Sequence, residues 1–306
     1  MNIRDLEYLI AVEKHKSFVK ASIECHVSQP TLSGQIKKLE DFLGGQIFER
    51  TTKKVTVTSF GKEIINKAKS IIEKTDEIKN LSSDYKNPWH QPIKIGVIPS
   101  LGPYLIPNFL VNLRKENKDS KIFIDEDITE NIIAKLESRE LDAIFLATDI
   151  NKEKFEQIEL FDEPFWVAYT KNKKLDELDE IQTTDLNLKE LLLLSDGHCL
   201  RDQIIEIWEA YDQDNILSKY DTKASSLETL INLVSVGEGF TFVPALSLHS
   251  AWTTDKGIQV RKLNHKKAYR TIRLVFRKNY YKKILLLELS EIILEFLPNT
   301  VKKLKN

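Results

Sequence analysis

Two kinds of hydrophobic periodicity meet in this chain near residue 90, at the segment KNPWHQP (86–92). On its N-terminal side, apolar residues recur at helical spacing; on its C-terminal side, short β-branched runs alternate with helical ones. Each of its two prolines lacks an amide donor and therefore ends a helix. We predict a small helical domain, a linker at this segment and an α/β domain beyond it.

The first 60 residues predict three short helices and a hairpin. Ser17 and Ser28 are suited to cap the second and third helices, and Pro30 falls in a first turn, where no helical hydrogen bond is lost. Apolar residues of the third helix recur at steps of four, three and four, which predicts one buried face. They are Leu32, Ile36, Leu39 and Leu43. The segment IFERTTKKVTVTSFG then alternates valine with threonine, as a hairpin does, with Lys53 and Lys54 at its tip.

Short helices with a tight connection, followed by a basic hairpin, are typical of a winged helix-turn-helix, whose third helix enters the DNA major groove. Polar side chains on the exposed face of that helix offer hydrogen bonds to bases and phosphates. They are Ser28, Gln29, Thr31, Ser33, Gln35, Lys37 and Lys38. A small helical bundle with a polar surface is the alternative that the pattern leaves open.

A long helix is predicted from about residue 58 to about residue 85. Residues at steps of four, three, four and three form a heptad seam with one weak position, a threonine. They are Ile64, Ala68, Ile71, Thr75 and Ile78. An exposed seam of this kind predicts a homodimer, and packing of the helix on its own domain is the alternative. The predicted boundaries are 1–60 for the winged helix-turn-helix and 61–92 for the dimerising linker helix and hinge.

Residues 93–306 alternate predicted strands and helices, which is typical of parallel sheets with crossover helices. In such folds, ligands bind where strands end and helices begin. Ser100 follows the strand IKIGVIP, Thr129 follows KIFIDED, and His198 and Cys199 follow a strand predicted at KELLLLS. Two hydroxyls, an imidazole and a thiol thus stand at three predicted strand ends.

The composition excludes several classes of protein. The two cysteines, Cys25 and Cys199, cannot build a disulfide framework, and no CxxC motif is present. The six histidines lack metal-ligand spacing, so no metal or other cofactor is expected. The N-terminal apolar run is interrupted by charges, and no apolar run is long enough to span a membrane. We therefore expect a cytoplasmic protein with reduced thiols and no membrane partner.

The stretch SDGHCLRDQ (195–203) places Cys199 beside His198, at the start of a predicted helix. A helix N-terminus and neighbouring hydrogen-bond donors favour the thiolate, which is the form that attacks peroxide. Ser100, Thr129 or His198 can donate a hydrogen bond to the leaving oxygen. The alternative is a structural cysteine, since a buried cysteine often serves as a small apolar residue.

Several motifs resemble those of LysR-type transcriptional regulators, and in particular those of the OxyR-type hydrogen-peroxide sensors within that family. They are CHVSQPTLSGQI, FERTTKKVTVTSFG, GPYLIP, FDEP, DGHCLRDQ, SSLETL, VPAL and RTIRLVFR. The resemblance covers nearly the whole chain, and DGHCLRDQ is its most specific stretch. Gly34 supports the narrower resemblance, because many LysR-type proteins have a basic residue there and the peroxide sensors share the glycine.

The resemblance implies an α/β protein with an N-terminal winged helix-turn-helix, a long linker helix and a periplasmic-binding-protein-like regulatory domain of two α/β lobes. The first lobe is expected at about 93–162 and 269–306, and the second at about 163–268. The resemblance also implies a homodimer or homotetramer that binds a partly palindromic operator in double-stranded DNA and acts with RNA polymerase.

The resemblance assigns roles to individual residues as well. The DNA-contacting positions correspond to Ser28, Gln29, Pro30, Thr31, Ser33, Gln35 and Arg50. The hairpin pattern itself adds Lys53 and Lys54, at the tip of the wing, as contacts to DNA phosphates. Cys199 corresponds to the peroxide-reactive cysteine. The residues around it correspond to Ser100, Thr129, His198, Arg201 and Asp202. Ser100 departs from the usual threonine: the hydroxyl is kept and the methyl group is lost.

A larger departure lies nine residues after Cys199, where the sensors carry the second cysteine of their regulatory disulfide and this chain has Trp208. Three functions remain open. The first is a regulator that senses peroxide through Cys199 alone, by sulfenic acid or by capping with a small thiol such as glutathione. The second is a regulator without redox input, locked in one state or responding to a small metabolite. The third is a thiol peroxidase, an enzyme in which the helix-turn-helix and the heptad helix have no purpose.

Overall fold

The computed structural model describes residues 1–50, 55–84, 89, 91–118, 120–208, 224–248 and 257–304. The chain divides into two compact units, Met1–Pro88 and Trp89–Asn306. Within the described ranges, no helix has both the length and the apolar character that crossing a bilayer requires.

Helices dominate the N-terminal unit. Its elements are α1 (Ile3–His15), α2 (Phe18–Glu24), α3 (Gln29–Leu43), β1 (Phe48–Arg50), β2 (Val55–Val57) and α4 (Ser59–Asp84). The predicted caps are confirmed: the side chain of Ser17 accepts a hydrogen bond from the amide of Lys20, and that of Ser28 accepts one from the amide of Thr31. Gly44 ends α3 with a left-handed φ of 73°.

The buried face predicted for α3 packs into one core with α1 and α2. Leu32, Ile36 and Leu39 are buried there with Leu9 and Val12 of α1. The strands β1 and β2 pair antiparallel, as the wing predicts. The predicted tip, with Lys53 and Lys54, lies outside the described residues. The winged helix-turn-helix is thereby confirmed.

The heptad seam of α4 divides into two parts. Ala68 is buried in the core of its own unit and Ile64 packs against that core. Ile71 and Ile78 are instead 42% and 70% exposed. Packing on the same domain therefore uses the first part of the seam, and only the later part is open to a partner helix.

The C-terminal unit is a mixed α/β structure. Its strands are β3 (Ile93–Val97), β4 (Ile122–Glu126), β5 (Ala143–Leu146), β6 (Phe155–Thr170), β7 (Glu180–Ile181), β8 (Thr241–Pro244), β9 (Ile258–Leu263), β10 (Tyr269–Arg277) and β11 (Lys302–Lys303). Its helices are α5 (Gly102–Glu116), α6 (Thr129–Glu137), α7 (Lys173–Asp176), α8 (Cys199–Trp208), α9 (Leu227–Ser235) and α10 (Lys283–Glu295). Short 3₁₀ helices lie at Thr183–Asp185, Leu188–Glu190 and Ala245–Ser247.

The long strand β6 joins two lobes. The sheet order is β4-β3-β5-β10-β6-β9-β7, and β8 and β11 also pair with β6. The first part of β6, with Phe155 and Phe161, packs in one hydrophobic core together with β3, β5 and β10. The later part, with Phe165 and Val167, packs in a second core together with α8 and α9. Two cores on one continuous strand give the two-lobed α/β architecture.

Two predictions about this unit are wrong in detail. Among the described strands, β3–β4, β3–β5 and β7–β9 pair parallel, whereas β6 pairs antiparallel with β8, β9, β10 and β11, so the sheet is mixed rather than parallel throughout. The stretch KELLLLS also forms no regular strand: Leu191 and Leu194 make isolated bridges. The carbonyl of Leu192, which a ladder would use, instead accepts a hydrogen bond from the Thr241 hydroxyl at 2.8 Å.

Candidate functional site

Cys199 is the first residue of α8, as predicted, and its side chain is buried. The helix forms here because its apolar residues share one face that packs into the second core. They are Leu200, Ile204, Ile207 and Trp208. Cys199 itself belongs to the first core, so the start of α8 lies where the two lobes meet. In the turn before the helix, Gly197 adopts a φ of 91°, which favours glycine.

Burial and charge act on the thiol in opposite directions. Desolvation raises the pKa of Cys199 above its ordinary value, and the charge of Asp202 adds to that rise. The guanidinium of Arg270, a hydrogen bond from Thr129 and the backbone amide of Leu200 lower it, but burial outweighs them. Near neutral pH the thiol is therefore mostly protonated, and its surroundings offer groups that stabilise the thiolate once it forms.

Thr129 is the first residue of α6, and the side-chain hydroxyl is fully buried. Among the described residues, its Oγ1 makes no hydrogen bond to a nitrogen or oxygen atom. The hydroxyl instead lies against the Cys199 thiol, whose pKa it lowers. A buried hydroxyl without a nitrogen or oxygen partner is uncommon in proteins, and here the thiol takes the place of such a partner.

Ser100 lies in the turn between β3 and α5 and is also buried. Its Oγ accepts a hydrogen bond from Arg270 Nη1 at 2.7 Å, and its carbonyl accepts one from Nη2 at 3.0 Å. The Ser100 hydroxyl proton thus remains available as a donor. Arg270 Nε donates to Glu163 Oε2 at 2.8 Å, and both side chains are 0% exposed.

The remaining predicted residues have different surroundings. His198 is buried, and burial lowers the pKa of its imidazole, which favours the neutral form. Arg201 Nη1 donates to the carbonyl of Leu194, and its Nε pairs with Asp196. Asp202 is exposed and acts on the thiol only through its charge.

Three residues of the site were missed by the sequence prediction. They are Arg270, Glu163 and Gln203. Gln203 lies one turn after Cys199 in α8, and its Nε2 donates a hydrogen bond to the carbonyl of Ala147 at 2.7 Å. Its Oε1 is buried and accepts no hydrogen bond from the described residues. The alternation of buried and exposed residues along a strand could have identified the other two, since Arg270 and Glu163 each occupy a position that alternation predicts to be buried.

The arrangement is suited to thiol chemistry with a small, uncharged oxidant. A buried thiol has a hydroxyl on one side and a guanidinium charge close by, both able to stabilise negative charge on sulfur or on a leaving oxygen. The described residues contain no group of three or more histidine, cysteine and carboxylate side chains that could hold a metal ion.

The exposed surface of the first turns of α3 is the second candidate site. Gln29, Pro30 and Thr31 are exposed, and Ser28 and Thr31 share a hydrogen bond between their hydroxyls at 2.7 Å. Ser33 and Gln35 are half-buried. Arg50 ends β1, and its side chain is outside the described part of the chain. A helix that begins with exposed hydrogen-bonding side chains fits the recognition helix of this motif.

The chain has a winged helix-turn-helix unit followed by a two-lobed α/β unit. This architecture is typical of bacterial transcription regulators in which a separate domain receives a ligand or signal. Residues 3–62 match the model of the bacterial regulatory helix-turn-helix proteins of the lysR family, and residues 86–298 match the LysR substrate binding domain. The chain belongs to the LysR family of transcription regulators, and within that family it is OxyR-like.

Three similar proteins support the narrower statement. The hydrogen peroxide-inducible genes activator of Pectobacterium carotovorum subsp. carotovorum is 39% identical over 279 residues, which is 90% of each chain. A full-length OxyR variant from Pseudomonas aeruginosa has a TM-score of 0.81 and 32% identity, covering 97% of this chain and 99% of its own. An H2O2-bound OxyR mutant from Corynebacterium glutamicum has a TM-score of 0.63 and 29% identity, covering 96% and 92%.

Proposed function

We propose that this protein is a DNA-binding transcription regulator that senses hydrogen peroxide through Cys199 without an internal resolving cysteine. The observation that carries the proposal is the pairing of a buried thiol at the start of α8 with the Thr129 hydroxyl, which among the described residues has no other polar partner. Two of the similar proteins point the same way, since one is named for peroxide induction and another has H2O2 bound.

The proposed reaction begins with the thiolate of Cys199. Its sulfur forms a bond to one peroxide oxygen, the O–O bond breaks, and its electron pair goes to the other oxygen, which takes up a proton and leaves as water. Sulfur is oxidised by two electrons to sulfenic acid, and peroxide is reduced. In this proposal Thr129 and Ser100 donate hydrogen bonds to the leaving oxygen, and Arg270 supplies positive charge for the developing anion; the effects of Thr129 and Arg270 on the thiol and the Arg270–Ser100 hydrogen bond support these roles.

A disulfide within α8 is excluded by geometry while the helix is intact. A residue nine positions after Cys199 lies roughly 13.5 Å farther along the helix axis. Two cysteines form a disulfide when their Cα atoms lie within about 7 Å. Trp208 occupies that position, is buried in the second core and holds the end of the helix there. We propose that the sulfenic acid, or its mixed disulfide with glutathione, is itself the signal, because either one adds atoms and polarity in a closely packed place.

In this proposal the N-terminal unit binds the operator DNA. The first turns of α3, with Ser28, Gln29, Pro30, Thr31, Ser33 and Gln35, read a partly palindromic operator, and Arg50, Lys53 and Lys54 support binding near the wing. A dimer formed through α4, and a tetramer of two such dimers, place two recognition helices in adjacent major grooves. RNA polymerase is the partner through which such a complex alters transcription.

The buried Trp208 also favours a second candidate, a regulator that has lost its redox input. In that case the site around Cys199 is a remnant, and the regulatory lobes stay in one state or respond to a small metabolite. The two candidates differ in one outcome: whether chemical change at Cys199 alters DNA binding.

Intact-protein mass spectrometry combined with operator footprinting separates the candidates. After brief exposure to dilute peroxide, wild type is expected to gain about 16 Da, or one glutathione when that thiol is present, while Cys199→Ser gains neither. The footprint of wild type is expected to change and that of Cys199→Ser to stay constant. Confirmed oxidation with an unchanged footprint overturns the sensing proposal in favour of the second candidate.

A further inference from the structure

We propose that Glu163 is a positioning residue for the thiol site: it holds Arg270 in the orientation in which its guanidinium binds Ser100 and its charge acts on the Cys199 thiol. The inference rests on the proposed peroxide reaction, but the geometry behind it and the alkylation measurement in its test do not depend on that reaction. Glu163 stands in the motif FDEP, where β6 passes from the first lobe to the second.

The contacts of Glu163 use both carboxylate oxygens. Oε2 accepts the hydrogen bond from Arg270 Nε at 2.8 Å, and Oε1 accepts one from the backbone amide of Leu246 at 2.8 Å. The two residues stand opposite each other in the β6–β10 pairing, so their backbones are fixed as well. A carboxylate held at two points presents a fixed acceptor to the planar guanidinium.

Fixing Nε fixes the rest of the guanidinium, because all its nitrogens lie in one plane. Nη1 and Nη2 then both point at Ser100, in the turn after β3. The Arg270 charge lowers the pKa of the Cys199 thiol, more than any other group that acts in that direction. Without Glu163, a long arginine side chain has rotamers that carry its charge away from the thiol.

A second pair on the same two strands shows what is special about this one. Arg273 and Glu159 also stand opposite each other, with Nε donating to Oε1 at 3.1 Å. Their side chains are 12% and 48% exposed, whereas those of Arg270 and Glu163 are 0% exposed. Water screens the outer pair, and the inner pair acts in a medium where orientation and charge have large effects. Glu159 is therefore the matched control.

The test separates positioning from simple charge compensation, because the two predict opposite shifts. Removing the negative charge of Glu163 while Arg270 keeps its orientation leaves the positive charge uncompensated, which lowers the thiol pKa. Loss of the orientation removes the positive charge from the thiol and raises its pKa. Variants Glu163→Gln, Glu163→Asp and Glu159→Gln are made in the full chain with Cys25→Ser, so that Cys199 is the single thiol.

The thiol pKa is measured from the pH dependence of iodoacetamide alkylation, and the peroxide rate constant by mass spectrometry at neutral pH. Positioning predicts a higher thiol pKa and an about tenfold slower peroxide reaction in Glu163→Gln, with Glu159→Gln like wild type. Glu163→Asp keeps the charge but is one methylene too short to hold both donors, so the same direction of change is expected. It also decides the matter should Glu163→Gln fail to fold.

A lowered or unchanged thiol pKa in folded Glu163→Gln, or an unchanged one in Glu163→Asp, overturns the proposal. An equal effect in Glu159→Gln overturns it too, because the effect is then not specific to the buried pair. The outcome is independent of the proposed function: alkylation reports on the thiol even in a protein whose DNA footprint ignores peroxide.

Discussion

The ring of Trp208 packs on that of Phe242, with centroids 6.3 Å apart and an angle of 57° between their planes. Trp208 ends the described part of α8 and Cys199 begins it, so the aromatic anchor and the thiol lie on one rigid element. Phe242 in turn stacks edge-on with Phe240 in the second core. Unwinding the whole of α8 therefore requires Trp208 to leave this cluster.

Trp208→Ala is expected to lower the free energy of unfolding by about 3–5 kcal/mol, the usual cost of removing a large aromatic side chain from a core. Urea unfolding followed by circular dichroism measures it. Ile205→Ala on the same helix is the control, because Ile205 is only partly buried and its loss should cost clearly less. A loss below about 1 kcal/mol for Trp208→Ala would show that the helix is not anchored there.

Thr129→Val removes the hydroxyl beside the thiol and keeps the shape of the side chain. The thiol pKa is expected to rise further and the peroxide reaction near neutral pH to slow by about tenfold, because a hydrogen bond that stabilises the thiolate is lost. Alkylation rate against pH gives the pKa. Thr129→Ser, which keeps the hydroxyl, should react nearly as fast as wild type. A valine variant that reacts with peroxide as fast as wild type would show that the Thr129 hydroxyl takes no part in the reaction.

The raised pKa of Cys199 itself predicts a pH dependence. Because the folded thiol is mostly protonated at neutral pH, the rate of peroxide oxidation should still be rising as the pH passes the ordinary thiol range. Stopped-flow measurement of the rate between pH 6 and pH 10 shows the profile. A rate already constant at neutral pH would mean that the thiolate predominates there and that burial does not control the thiol.

His198 predicts how stability depends on pH. Its folded pKa is lowered by burial, so the unfolded chain binds a proton more readily than the folded one. Stability is then complete above the unfolded pKa, about 6.5, and falls as the pH drops below it toward the lowered folded pKa. Urea unfolding at neutral pH and at about one unit below 6.5 should show a smaller decline for His198→Asn than for wild type. Identical declines would assign the acid sensitivity to other groups.

Gln29 and Ser28 predict two different defects in DNA binding. Gln29→Ala should cost about 1–3 kcal/mol on the native operator and relax preference at one base pair, since Gln29 is exposed at the start of α3. Ser28→Ala removes the N-cap of that helix as well as a hydroxyl of the reading surface, so it should lower stability by about 1 kcal/mol and weaken binding to every operator, which Gln29→Ala should not do. Binding assays over an operator library distinguish the two variants. A uniform loss of affinity for Gln29→Ala would show that Gln29 contacts only the DNA phosphate backbone and no base.

The exposed part of the α4 seam predicts the mode of dimerisation. Ile78→Asp places a charge where a partner helix would bury an apolar side chain, so the dimer should dissociate at higher protein concentration than wild type. Sedimentation equilibrium measures the change. Lys62→Asp, on an exposed position early in the same helix, controls for charge alone. An unchanged dimer would place the interface elsewhere.

Local sequence determined several of the helices and where they start. Ser17, Ser28 and the spacing of leucines and isoleucines were enough to predict α2, α3 and the start of α8 at Cys199, because capping and helical periodicity involve residues three or four positions apart. The same local information placed Ser100, Thr129 and the thiol near element ends.

The tertiary structure alone decided which of these groups meet and what charge surrounds them. Arg270 and Glu163 are 107 residues apart in the chain, and the local sequence around either residue does not predict that the two will form an ion pair. Antiparallel pairing of β6 with β10 brings them together, and the two cores remove them from water, which makes the pair a fixed acceptor and donor set. Sequence thus determined that a thiol begins a helix; pairing between distant strands determined the charge and the hydrogen bonds that act on it.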